Sequence, residues 1–325
     1  EATSDFAQAD ITESGCSLDT FGTTSSTVYT DTCTASSDGT PTVAVAAGTF
    51  SDALSNDNSV SNTYTWTYDS GAPTMTITSA TVSSGATTGT AAVVLVYTSS
   101  EATTDFVEAD ITETGCSTGS FTATSSTVYG STCTASSDGT PTVSVAAGAF
   151  NDDVGNDNTV SNTYTWTYDG TGPTMTITSS TVSSGASTAT AAVALVFTSN
   201  EATSDFAQAD ITESGCSLGT FAATSTTVYT DTCTASSDGS PSVSVAAGAF
   251  SDASSNTNSV SNTYAWTYDG TGPTMTITSA TVDSGASTAT AAVVLTFTSN
   301  EATTDFAQED ITETGCSLGT FAASS

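Results

Sequence analysis

The sequence predicts an all-β protein assembled from tandem β-sandwich domains, and three observations carry that prediction. The segment EATSDFAQADITESGCSL at residues 1 to 18 recurs letter for letter at 201 to 218, and near copies begin at 101 and 301, so the period is 100 residues. Within a period apolar residues alternate with polar ones, as a half-buried strand requires, and nowhere do they recur at helical spacing over a useful length. Glycine-bearing segments separate the alternating runs. A period of this size suits one domain. The expected organisation is a partial repeat at 1–69 that lacks its first strands, complete repeats at 70–169 and 170–269, and a partial repeat at 270–325 that lacks its last strands. The chain is expected to continue on both sides.

In the repeat 70–169 strands are expected at 74–79, 91–98, 106–113, 120–124, 127–135, 142–147 and 161–168. The first is seen in its copy, where Met175 and Ile177 alternate with Thr174, Thr176 and Thr178. SSGATTG separates the first two strands, TGCSTGS the third and fourth, and SSDGTP the fifth and sixth, each with a glycine where the chain reverses. Val143 and Val145 alternate with Thr142 and Ser144 in the sixth. Tyr164, Trp166 and Tyr168 alternate with threonines in the seventh; they are expected to be inward core residues, with a sugar-stacking strip as the alternative. Pro73, Pro173 and Pro273 follow YDSGA or YDGTG, where proline stiffens a linker and starts an edge strand.

The 325 residues carry 34 acids and no lysine, arginine or histidine, a formal net charge of −34. Nucleic acids and anionic membrane surfaces are excluded as partners, because both are held by Lys and Arg. Only 10% of residues are charged and 37% are apolar, so the chain should fold. No apolar run reaches the roughly 18 residues of a spanning helix. Without His, Lys or Arg there is no conventional base for a Ser or Cys nucleophile and no cationic clamp. The chain is therefore not expected to be an enzyme. Carboxylate pairs for glycoside hydrolysis, Asp152 with Asp153 or Glu108 with Asp110, are the remaining catalytic reading, against solvated acids on loops and strand edges.

Cysteines occur as one pair per period, 17 residues apart, and the expected disulfides are Cys16 to Cys33, Cys116 to Cys133 and Cys216 to Cys233; the partner of Cys316 would lie beyond Ser325. Cys116 is placed in the turn after the third strand and Cys133 near the end of the fifth, at one pole of the sandwich. Closing a loop of this size stabilises by ~3 kcal/mol in the chain-entropy account. Two thiolates without histidine fall short of a four-ligand zinc site. Disulfides imply export.

The succession F, ADITETGC, F, Y, DGTPTVSVAAGAFNDDVGNDN, YTWTYDGTGPTMT resembles the bacterial immunoglobulin-like domain repeats of large extracellular adhesins, with similar arrays in predicted surface proteins of marine microalgae. The resemblance covers every period. It implies immunoglobulin-like β-sandwich repeats of 100 residues in an extracellular or cell-surface fibre that provides mechanical extension and self-assembles; the alternative is an adhesin stalk presenting a ligand-binding domain outside this segment.

The segment NDDVGNDN at 151 to 158 poses a charge problem that no side chain of this protein can solve. With strands alternating down and up, this loop, the loop after the second strand and the incoming linker gather at one pole. A cation site, calcium first, is expected from Asp69, Glu101, Asp105, Asp152 and Asp157, with Asn156 and Asn158 as further oxygen donors, and a copy from Asp169, Glu201, Asp205 and Asp252. Thr257 replaces Asp157 in the copy. The spacing is not an EF-hand; sodium or magnesium around a polar loop is the other reading. No Asn-x-Ser/Thr sequon occurs, whereas 39 of the residues from 101 to 200 are Ser or Thr, so O-glycosylation of outward rows is open beside plain β-propensity.

Overall fold

The structure, a computed structural model, describes residues 1–323. They form two compact units, Glu1–Thr171 and a second beginning at Gly172, each holding one complete repeat and one partial repeat.

In the complete repeat of the first unit, strands Met75–Thr78, Ala92–Ser99, Val128–Ala135 and Cys116–Ala123 make an antiparallel sheet in that spatial order. Ile111–Thr114, Thr142–Val145 and Tyr164–Thr165 make the second sheet. First, second, fifth and fourth strands thus face third, sixth and seventh, the arrangement of a constant-type immunoglobulin domain. The alternation seen in sequence is the burial alternation: Met75 and Ile77 point inward while Thr76 and Thr78 face out, and Val93, Leu95 and Tyr97 are fully buried. Phe106 plugs the core, with ring centroids 5.0 Å from Tyr129, 5.2 Å from Phe150 and 5.6 Å from Phe121 in edge-to-face contacts. Tyr164 and Trp166 are core residues at 2% and 0% exposure, which overturns the sugar-stacking alternative for them.

Three expectations about elements are corrected. Residues 106–113 are not one strand: Glu108–Asp110 is a 3-10 turn, closed where Val107 N donates to Asp110 Oδ2 at 2.8 Å, and the strand is Ile111–Thr114. The segment TGCSTGS is not a loop. Gly115 alone reverses the chain, at φ 73°, and the next strand already begins at Cys116. A Cβ at Gly115 would lie 3.4 Å from Pro141 Cα, so tight packing and left-handed backbone both select glycine there. The seventh strand is broken at Trp166: Tyr164–Thr165 pairs with the sixth strand, then Thr167–Tyr168 runs parallel to Thr87–Thr88, a short strand inside the expected turn SSGATTG.

The second unit repeats this fold, with Met175–Thr178, Ala192–Ser199, Val228–Ala235 and Cys216–Leu218 in one sheet and Ile211–Ser214, Ser242–Val245 and Tyr264–Ala265 in the other. No helix of the described residues is long and apolar enough to cross a membrane.

Candidate cation site at the repeat junction

The loop after the sixth strand is shaped by two side chains. Asn158 Oδ1 accepts from Ala149 N at 2.7 Å and Phe150 N at 3.0 Å, while its Nδ2 donates to Ala146 O at 2.8 Å and Thr159 O at 2.7 Å. Asn158 is thus committed to holding the loop. Asp152 Oδ1 accepts from Val154 N at 2.9 Å, Gly155 N at 2.7 Å and Asn156 N at 2.9 Å, and its Oδ2 accepts from Asn156 Nδ2 at 2.8 Å. Burial opposes ionisation of Asp152, but the bonds from Asn156 and its neighbours prevail and hold the carboxyl below its ordinary range.

The linker is positioned just as firmly. Tyr68 and Gly39 exchange backbone bonds at 2.9 Å each way, and Asp38 Oδ1 accepts from Ser70 N at 2.9 Å and Ser70 Oγ at 2.8 Å. Asp69 accepts from Gly71 N at 3.0 Å, and Asn156 Nδ2 reaches Asp69 O at 3.3 Å, tying the loop of one repeat to the end of the preceding one.

Within this frame one carboxylate oxygen from each of Asp69, Glu101 and Asp152 lies within 4.8 Å of the others. A methyl group placed at Gly71 would stand 3.3 Å from Asp69 Oδ1, 3.4 Å from Glu101 Oε1 and 3.8 Å from Asp38 Oδ2, so Asp38 borders the cluster too. Burial first, then the charges of Asp69, Asp152 and Asp38, raise the Glu101 carboxyl above its ordinary value.

Asp105 and Asp157, expected in the same cluster, are used within the loops instead. Asp105 accepts from Asn151 N at 3.1 Å and from Thr103 Oγ1 at 2.8 Å; Asp157 accepts from Asn151 Nδ2 at 2.8 Å. In the second unit Asp205 accepts from Ser251 N at 2.7 Å, and Asp252, 5% exposed, accepts from Asn256 N at 2.9 Å and Ser254 N at 2.8 Å. Glu201 follows the strand Ala192–Ser199 there. Asp169 belongs to the first unit, where its N–H donates to Thr88 O at 3.1 Å.

The three disulfides are present, with Cα–Cα distances of 5.6, 5.7 and 5.6 Å. Their geometry differs from the expected bridge across a loop. Cys116 stands opposite Ala135 and Cys133 opposite Thr118, so the bond runs diagonally between adjacent strands, with Cys133 fully buried. Among the described residues Cys316 is the unpaired cysteine. The carboxylates suggested as catalytic pairs have structural duties: Asp152 organises its loop and Asp110 closes the 3-10 turn.

Sequence reasoning missed Asp38. Its signal was the pairing of Gly39 with Tyr68, which sets Asp38 beside the linker, but that pairing is visible only once the two strands are aligned.

These features define a class: tandem, disulfide-stapled immunoglobulin-like sandwiches with acidic poles. The chain belongs to the bacterial Ig-like domain family, whose sequence pattern matches residues 69–168 and 169–268. Comparison with curated protein sequences gives no match. Among solved structures the chain is similar to invasin, a bacterial integrin-binding protein, at 13% identity and TM-score 0.40, over 78% of this chain and 51% of that one. It is similar to the Escherichia coli adhesin FdeC at 14% and 0.35, over 79% and 84%, and to Yersinia pseudotuberculosis InvD at 17% and 0.29, over 64% and 62%. The chain spans about half the length of the invasin structure.

Proposed function

We propose that this chain is a structural segment of a long extracellular or cell-surface fibre, in which repeated sandwiches set length and resist extension. The observation that carries the reading is repetition of a whole stapled domain: the same core, the same diagonal disulfide and the same linker contacts recur at 100-residue intervals. A chemistry-bearing domain needs one site; a spacer needs copies. The disulfides favour an oxidising compartment, hence export. Single-molecule stretching of the chain is the test. Each complete repeat should unfold in its own event, reaching a stretched length of ~290 Å with the disulfide closed and ~350 Å after reduction, from ~3.5 Å per extended residue. Extension without such discrete events would overturn the mechanical role, and absence of antibody labelling on intact source cells would overturn the surface location.

Divalent cation binding, calcium first, belongs to the same proposal. The donor set fits a hard cation: carboxylates from the linker, the loop after the second strand and the loop after the sixth strand converge, and no basic side chain exists to neutralise them. Calcium there would fix the linker against the following repeat and stabilise it by mass action, ~2.7 kcal/mol at a hundredfold excess over Kd. Native mass spectrometry with calcium, magnesium and chelator decides it; no bound divalent ion would leave monovalent screening as the neutralising agent.

A further inference from the structure

The acids of the repeat 70–169 are partitioned. Of the ten carboxylates in residues 70–169, nine lie in loops, the linker or the 3-10 turn, and the tenth, Glu113, is in the smaller sheet. The outward face of the four-stranded sheet carries no charge. Its central row crosses all four strands through Thr78, Val96, Gly130 and Thr122, beside Val94 and Thr132, and the face holds nothing larger than valine or threonine. Val94 is 49% exposed there. The second unit has a like outward face, with Ala194 opposite Thr232; its larger sheet does hold an acid, Asp231, but on the inner side opposite Leu195 at 3% exposure.

We infer that this face is where a second copy of the chain packs, sheet against sheet. Two copies have no opposite charges to offer each other, since the protein contains no cationic side chain, and any approach through the acidic poles brings carboxylates together. The neutral flanks are what remains. Area then selects between them. Strands of four, eight, eight and eight residues, ~4.8 Å apart and rising ~3.3 Å per residue, give a face of roughly 450 Å² per repeat. Two such faces bury about 900 Å², the size of a weak, reversible contact. The three-stranded sheet, with strands of four, four and two residues, offers roughly 160 Å², about a third as much. Small side chains let two sheets approach to the ~10 Å of sheet-on-sheet packing, and the same patch on both partners makes the contact self-complementary. The inference rests on the reading of the chain as an assembling structural segment, yet a monomeric chain would leave the spacer role intact.

Sedimentation velocity of the full 325-residue chain, disulfides closed and chelator present, tests it. As salt rises from about 0.01 to about 1 M the screening length falls from about 30 to about 3 Å, so self-association should strengthen with salt and with concentration. Val94→Glu combined with Ala194→Glu should weaken association at least tenfold, whereas Thr112→Glu with Thr212→Glu, on the opposite sheet, should leave it unchanged. Circular dichroism and melting curves verify that both variants are folded. A chain monomeric at every salt concentration would overturn the inference. So would undiminished association of the Val94 and Ala194 variant, which would place the contact on exposed core positions such as Ile277. Sugars on the outward threonines of native material would overturn it as well, because the face would be covered.

Discussion

The side-chain amide of Asn162 pairs with both backbone groups of Ile77: Ile77 N donates to Asn162 Oδ1 at 2.7 Å, and Asn162 Nδ2 donates to Ile77 O at 3.0 Å. One residue thereby joins the first strand, in one sheet, to the approach of the last strand, in the other. Asn262 does the same for Ile177 at 2.8 and 3.0 Å. Two bonds at about 0.5–1.5 kcal/mol each predict that Asn162→Ala costs about 1–3 kcal/mol in the repeat 70–169. Asn162→Asp keeps the acceptor and loses the donor, so it should also destabilise. Urea unfolding followed by tryptophan fluorescence measures both; an unchanged midpoint for the alanine variant would show that the link contributes nothing.

Thiol labelling of the denatured, unreduced protein should modify Cys316 alone, with the six paired cysteines reacting only after reduction. Replacing Cys116 and Cys133 together by serine should destabilise that repeat by about 2–5 kcal/mol. Labelling of Cys116 or Cys133 before reduction would contradict the bonded state.

Asp138 clamps the linker after its repeat: its carboxylate accepts from Gly170 N at 2.7 Å and from the Thr171 hydroxyl. The Thr171 hydroxyl first and the Gly170 amide second hold its carboxyl below the ordinary value of 3.8. The folded state therefore binds that proton less readily than the unfolded chain, so the clamp is fully present above the ordinary carboxylate range and is lost as pH falls through the lowered folded value. The Gly170 amide resonance should follow this titration, and Asp138→Asn should abolish it. A midpoint at or above 3.8 would be inconsistent with the clamp.

Glu101 has the opposite sign. Burial and its acidic neighbours raise its carboxyl, so the folded protein holds that proton more readily than the unfolded chain, and ionisation at neutral pH lowers stability. Glu101→Gln should accordingly raise the melting midpoint in chelator and shrink the gain produced by millimolar calcium. Equal calcium gains for wild type and variant would remove Glu101 from the set of ligands.

Much of the fold was legible in the sequence because one physical rule generates it. In a two-faced sheet, alternation of side-chain polarity is alternation of burial, and Met175, Ile177, Val143 and Val145 sit inward as their spacing requires. Errors arose where local backbone chemistry overrides alternation: a 3-10 turn at Glu108–Asp110, a single-glycine reversal at Gly115, and a change of partner at Trp166. For the candidate site, the acids and their loops were readable, but which carboxylates meet was not. Asp105 and Asp157 look like Asp152 in sequence, and the placement of Asn151, with Thr103 beside Asp105, draws them away.

The sequence by itself determined the period, the sandwich class, the cysteine pairs and an excess of negative charge that no side chain can neutralise, because each depends on residue identity and spacing alone. The tertiary structure decided burial and encounter. Met75 and Ile77 are 3% and 2% exposed, whereas Met275 and Ile277, in the identical segment TMTIT, are 38% and 58% exposed. Tyr164 is 2% exposed and Tyr64, in the same YTWTYD context, is 65% exposed. Residues 1–69 and 270–323 hold only part of a repeat, so these copies lack a complete facing sheet, whereas the copies in the complete repeat have one. Hydrophobic burial is a property of two surfaces brought together, so a strand can declare which of its faces is apolar but not whether another sheet covers it. Convergence of Asp69, Glu101 and Asp152 has the same origin: three segments far apart in sequence meet because the strands between them have fixed lengths and return to one pole.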